Sequence, residues 1–176
     1  VDIILKHHIK QVDLGMINEH YFINGIGIGF DGHTNHIAQR FRYIRGGMKY
    51  YAAIAIAFFT YKPLQVNISS KSINYQGPLF MLSLSNGCFI GNGLQLSPEA
   101  CLDDQFLDYF TIPKIARLRI LTQFRHMLMN NGHKIKEASH GLLDTIQITS
   151  TEPIPFHFDG EALATPCNEL HIKLVT

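Results

Sequence analysis

Apolar positions along the chain mostly alternate with polar ones, and only three stretches carry the three-to-four spacing of a helix. Val1 to Ile17 and Tyr21 to Ile28, separated by Asn18 and Glu19, predict two strands joined by a turn. After Gly32, Ile37, Ala38 and Phe41 recur at helical spacing. They predict a short helix that begins near Thr34 and stops at Gly46 and Gly47. Met48 to Tyr61 is dense in Ala, Tyr and Phe and ends before Lys62 and Pro63, where proline disfavours helix at the preceding residue; the expectation is a buried helix. Leu64 to Ser69 reads as a strand, and Ile73 to Tyr75 with Pro78 to Ser85 flank Gln76 and Gly77 as an expected hairpin. After a strand from Phe106 to Ile112, Thr111 and Pro113 read as the cap and first turn of a third helix. Its apolar stripe is Ile115, Leu118, Leu121, Phe124 and Leu128, with Arg117, Arg119 and Arg125 off that stripe and Asn130 to Gly132 as its stop. Thr145 to Thr149, Pro155 to Phe158 and Glu169 to Val175 close the chain as strands. Strands clustered at both ends with helices between them predict an α+β, mainly β fold: an antiparallel β-sandwich or flattened barrel with a few flanking helices.

Composition sharpens this picture. The chain has 176 residues, 46% of them apolar, and its 14 Gly and 7 Pro are too few for a disordered or collagen-like chain. It suits one globular domain. Charged residues are only 16%, against about 25% in an average soluble protein, which suggests that a partner or a further domain covers part of the surface. The net charge of +1 gives no reason to expect nucleic-acid binding. Its distribution is more telling: from Gly32 to Pro98 there is no acid, while Arg40, Arg42, Arg45, Lys49, Lys62 and Lys71 are basic. Such a segment attracts phosphoryl groups or an anionic lipid surface, unless acids elsewhere fold against it. Three scattered cysteines, Cys88, Cys101 and Cys167, point to a reducing cytosol rather than a disulfide scaffold, no export signal opens the chain, and the apolar run Tyr50 to Phe59 is too short to cross a bilayer.

Several motifs could carry chemistry. Gly27-Ile28-Gly29-Phe30-Asp31-Gly32 has the spacing of a dinucleotide loop, but the acid-free stretch lacks the ribose-binding carboxylate, so a tight strand-to-helix turn fits better. His33 and His36 stand three apart with no partners at zinc-like spacing. Asp103, Asp104 and Asp108 repel one another unless solvent or a cation offsets them; magnesium or calcium on one carboxylate plus carbonyls is one reading, and acids solvating a turn is the other. Asp159-Gly160 is a two-residue hairpin signal, and Glu161 leaves that turn first, a placement that suits a general base as well as a plain turn.

Taken together these segments resemble the bacterial diacylglycerol kinase and lipid kinase family, which includes sphingosine and ceramide kinases. The resemblance rests on Val12-Asp13-Leu14-Gly15, Phe22-Ile23-Asn24 with Gly27 to Asp31, the Lys49 to Pro63 helix, and Ser85-Asn86-Gly87 with Gly91-Asn92-Gly93. It rests most of all on Pro98 to Asp108 and Asp159-Gly160-Glu161, in this order. It implies an ATP-dependent kinase in which Glu161 accepts the proton of a lipid hydroxyl and Asp159 shapes the turn. It also implies a structural Mg2+ held by Asp104 and the carbonyls of Cys101 and Phe106. Gln105 stands where the family usually has Gly. The family's N-terminal nucleotide-binding domain, with its Gly-Gly-Asp-Gly-Thr loop, has no counterpart here. Residues 1–176 are therefore expected to be the C-terminal substrate and catalytic-base domain, as in the second domain of lipid kinases and NAD kinases, inactive by itself and cytoplasmic at the membrane surface with its lipid substrate. The competing readings are a non-catalytic lipid-binding or regulatory module and an NAD kinase-like enzyme.

Overall fold

The computed structural model describes residues 9–41, 47–90, 95–128, 135–163 and 165–175. The opening residues Val1 to His8, the helix stop at Gly46, the loop Gly91 to Gly93 and the stop Asn130 to Gly132 lie outside them. The elements run β1 (Leu14–Ile17), β2 (His20–Phe22), β3 (Gly25–Gly29), α1 (Phe30–Arg40), α2 (Gly47–Thr60), β4 (Leu64–Ser69), β5 (Asn74–Ser85), β6 (Leu107–Pro113), α3 (Arg117–Leu128), β7 (Ser139–Leu143), β8 (Thr145–Ser150), β9 (Phe156–Phe158) and β10 (Glu169–Val175). The strands pair antiparallel in the order β2-β1-β10-β8-β4-β5-β3-β9, and β6 and β7 branch from β5. The mainly β, sandwich-like expectation holds.

Strand β5 joins the two halves. From Asn74 to Leu79 it pairs with β4, and from Met81 to Ser85 it pairs with β3 on one edge and β6 on the other. The ladder to β6 shifts between Leu79 and Met81, a bulge of the kind that bends a strand out of one sheet into the next. Both halves contribute to one core: Ile26, Ile28, Leu82 and Leu84 meet Val66, Ile146, Ile148 and Ile172. A second cluster, built from Phe30, Ala57, Tyr61, Phe80, Phe110 and Ile120, lies under the helices.

Several expectations are corrected. Tyr21 to Ile28 is not one strand but β2 and β3, because the backbone at Ile23 to Gly25 turns its N–H groups to the Asp159 carboxylate. Helix α1 starts at Phe30, directly after Gly29 at φ 79°, and not near Thr34, whose hydroxyl instead donates back to the Phe30 carbonyl at 2.8 Å. No hairpin forms at Gln76 and Gly77. Pairing with β4 keeps β5 extended there, and the turn falls at Ser70 to Ile73. Pro113 ends β6 rather than opening a helix, the Thr111 hydroxyl donates to the Met81 carbonyl across the sheet, and α3 begins at Arg117. Strand β7 was not expected at all; it is a largely exposed edge strand in which Gly141 leaves room for the Tyr109 ring. The helices are also less buried than their text suggests. In α2 Ala53 and Ala57 are buried while Tyr51, Ile56 and Phe59 are exposed, and in α3 Ile120 is buried while Leu118 and Leu121 are exposed.

Candidate active site

The Asp-Gly pair after β9 makes the tight turn that its sequence predicts. Asp159 and Gly160 sit at φ 48° and 84°, the pattern of two successive left-handed residues that a two-residue hairpin requires. Phe158 and Glu161 exchange backbone hydrogen bonds of 3.0 and 2.8 Å across it. Asp159 does more than turn the chain. Its Oδ2 accepts the N–H of Ile23 at 2.8 Å, and its Oδ1 accepts those of Asn24 and Gly25, both at 2.9 Å. Its own N–H donates to the Gly25 carbonyl at 2.9 Å. One carboxylate thus satisfies three consecutive backbone donors and fixes the turn to the start of β3. Helix α1 holds it from the other end, where the Asn35 side-chain amide donates to the Gly160 carbonyl at 3.0 Å. Glu161 leaves this clamped turn exposed to solvent, with no side-chain partner among the described residues.

Behind the turn lies a buried ion pair. Asp31 of α1 and His157 of β9 meet at 3.1 Å between Oδ2 and Nε2, and the Tyr50 hydroxyl of α2 donates to Asp31 Oδ1 at 3.0 Å. Burial works against ionisation of Asp31, but the His157 charge and the hydrogen bonds from His157 and Tyr50 together outweigh it and hold the carboxyl below its ordinary range. Burial likewise disfavours the imidazolium of His157, and the charges of Asp31 and Asp159 with the Asp31 hydrogen bond raise it above the usual histidine range. Gly27 makes this contact possible, since a Cβ there would overlap Asp31 Oδ2 and His157 Nε2. The glycine motif therefore serves packing around a carboxylate.

The clamp extends to the acidic loop. The Asn24 carbonyl accepts the N–H groups of Asn86 and Gly87 at 2.8 and 3.0 Å, and the Asn86 side-chain amide donates to the carbonyls of Ile23 and Asp13. Asp13 Oδ2 then accepts the N–H of Gln105 at 2.7 Å. Gln105 adopts φ 65°, so it takes the left-handed conformation that a glycine would take freely, held there by Asp13. Asp104 Oδ1 accepts the Phe106 N–H at 3.0 Å, and the Cys101 thiol donates to Asp103 rather than to Asp104. Burial, then Asp104 and Glu99, raise the Asp108 carboxyl to about 6. That excess of negative charge fits a cation, and a carboxylate with two carbonyls is the hard oxygen set that magnesium takes. Asp104, Cys101 and Phe106 thus fit the implied metal. Among the described residues no three His, Cys, Asp or Glu side chains form a metal cluster.

The structure places Asp159 and Glu161 on one turn and Asp104, Cys101 and Phe106 on one loop. What sequence reasoning missed is the connection. Asp13, Asn24, Asp31 and Asn86 all stand within the motifs that carry the resemblance, and that shared membership was the available signal, but none had been given a role.

Comparison with known proteins agrees with the fold. Residues 24–173 match the family described as the YegS C-terminal NAD kinase beta sandwich-like domain. Proteins named "Probable lipid kinase YegS-like" from Chromohalobacter salexigens and Yersinia enterocolitica are 29% and 27% identical over 90% and 91% of this chain, and over 50% and 53% of their own lengths. A solved structure described as "a putative diacylglycerol kinase from Bacillus anthracis" superposes with a TM-score of 0.71 at 23% identity, covering 98% of this chain and 56% of that one, and supports the fold. This chain accordingly spans about half the length of the relatives it matches. With its antiparallel sandwich and a family match over residues 24–173, the chain belongs to the YegS C-terminal domain family.

Proposed function

We propose that this chain is the acceptor-activating half of an ATP-dependent lipid kinase of the diacylglycerol kinase type. The observation that carries the proposal is the clamped turn: Asp159 is held by three backbone donors, and Glu161 projects from it with no side-chain partner among the described residues. A carboxylate presented in this way can accept the proton of a lipid hydroxyl while that oxygen attacks the γ-phosphorus of ATP. The proton ends on Glu161 and ADP leaves. Asp159 acts on geometry, and the Asp31–His157 pair supports the strand that leads into the turn. Asp104 with the carbonyls of Cys101 and Phe106 would hold a magnesium ion, which when bound neutralises the acidic loop. Phosphoryl transfer depends on positioning donor and acceptor together, so the half that binds the nucleotide has to supply ATP, and the isolated chain does not turn over. The names carried by the relatives support the kinase reading over a non-catalytic module or an NAD kinase-like enzyme. No helix among the described residues is long and apolar enough to cross a membrane.

The test is radiolabelled phosphoryl transfer from ATP to a panel of lipids by the full-length gene product, beside Glu161→Gln. The expected loss is about a hundredfold to ten-thousandfold with an unchanged thermal melt. Undiminished turnover in the variant overturns the assignment of the base.

A further inference from the structure

We propose that the outer face of α2 and α3 is a membrane-docking surface whose partner is a bilayer containing anionic phospholipid. Its apolar side chains enter the acyl boundary, and the surrounding cations hold headgroup phosphates. The proposal rests on the lipid kinase reading for its purpose and on the following geometry for its location.

Met48 and Tyr51 project from the first two turns of α2 and Phe59 from its last, at 76%, 57% and 72% exposure, and Leu118 and Leu121 project from α3 at 75% and 55%. Between the helices lies a groove of about 260 Å³ floored by Phe80 and walled by Phe30, Ile54, Phe58 and Ile120, with no polar side chain among the described residues that line it. A contiguous apolar face of this kind marks an interaction site rather than ordinary surface. Its border is cationic. Lys62, Lys114 and Arg117 line the adjoining depression. Neither lysine ammonium has a carboxylate partner among the described residues, and Arg117 donates only to the Phe59 and Tyr61 carbonyls at the end of α2. No Asp or Glu occurs anywhere in residues 32–98 or 109–136, the segments that contain both helices.

Charge selects the occupant. A second copy of this face would oppose cation to cation, and a protein partner would need acids to match the border. The half of the relatives that this chain does not cover must deliver a nucleotide to Glu161, and α1, packed against both β9 and α2, separates that turn from the groove. An anionic bilayer supplies an apolar phase and a layer of phosphates above it at once.

The experiment uses the full-length gene product with vesicles of phosphatidylcholine, alone or mixed with phosphatidylglycerol. This chain contains no tryptophan, so Phe59→Trp adds a reporter whose emission is compared with and without brominated lipid. The expected results are quenching of that added emission, binding that favours the anionic vesicles and weakens with salt, and about tenfold or greater loss of binding in Leu118→Ser/Leu121→Ser and in Lys62→Gln/Lys114→Gln. Both double variants keep wild-type activity on a dispersed short-chain diacylglycerol. Unquenched emission, variants that bind vesicles as wild type does, or a wild-type dimer that the variants split would each overturn the proposal. If the serine variant does not fold, the quenching result decides by itself. A gene product that phosphorylates no lipid defeats the kinase reading, while the vesicle measurements still decide the docking face.

Discussion

The Asp159 corner and the outer face of α2 and α3 flank the same helix and follow opposite rules. At the corner, nearly every polar group of Ile23 to Gly25, Asp159 and Gly160 is matched to a named partner, so the backbone itself is the functional element. On the helical face the side chains point outward and make few contacts with their own fold. The contrast teaches where the sequence can vary. A change at the corner alters the path of the chain, whereas a change on the face alters only what the face can touch.

Four measurements break or sharpen that contrast. Asp159→Ala removes the acceptor of three backbone donors and is expected to cost about 2–4 kcal/mol, while Phe59→Ser stays within about 0.5 kcal/mol. Denaturant melts of the two variants check this, and equal losses would erase the distinction. Next is Gly27→Ala, whose methyl group would overlap Asp31 and His157 and should destabilise by about 1–3 kcal/mol. A neutral result would mean that the ion pair can shift aside.

The third is pH dependence. The Asp31 carboxyl lies below its ordinary 3.8, so its contribution is full above that pH and is lost as pH falls through the lowered value. The His157 imidazole lies above its ordinary 6.5, so its contribution is full below 6.5 and is lost as pH rises through the raised value. The pair therefore adds a stability plateau between those two pH values that declines on both sides. Thermal melts across pH should show both flanks flattened in Asp31→Asn/His157→Gln, and unchanged flanks would assign them to other groups. The smallest effect is a gain: Gln105→Gly relieves a left-handed glutamine and should stabilise by about 1 kcal/mol, read as a raised melting temperature. A loss there would show that the glutamine side chain supplies more than its backbone costs.

The parts of this design that were legible in the sequence are local. Asp159-Gly160 fixes its own turn type through the backbone preferences of two residues, and β4, β8 and β10 announce themselves by alternation. Long-range partners were not legible. Asp31 and His157 stand 126 residues apart, and nothing in either neighbourhood signals the other. Gln76 and Gly77 look like a turn until β4 supplies hydrogen bonds on their flank, and Pro113 looks like a helix start until its strand is seen to pair with β5 and β7. Short, mostly exposed β7 lacks the apolar alternation that would have revealed it. The helical text misled for a different reason. Its apolar residues are too many for one buried stripe, and hydropathy does not distinguish a face turned to the core from one turned outward.

Helix α1 also acts as a spacer. Asp31 bonds to Tyr50 on one neighbour and to His157 on the other, and one turn further along Asn35 holds the carbonyl of Gly160. With both attachments on a single rigid rod, α2 and the Glu161 turn cannot tilt independently. Once α2 rests against any plane, the stand-off of Glu161 from that plane becomes a fixed dimension of the molecule.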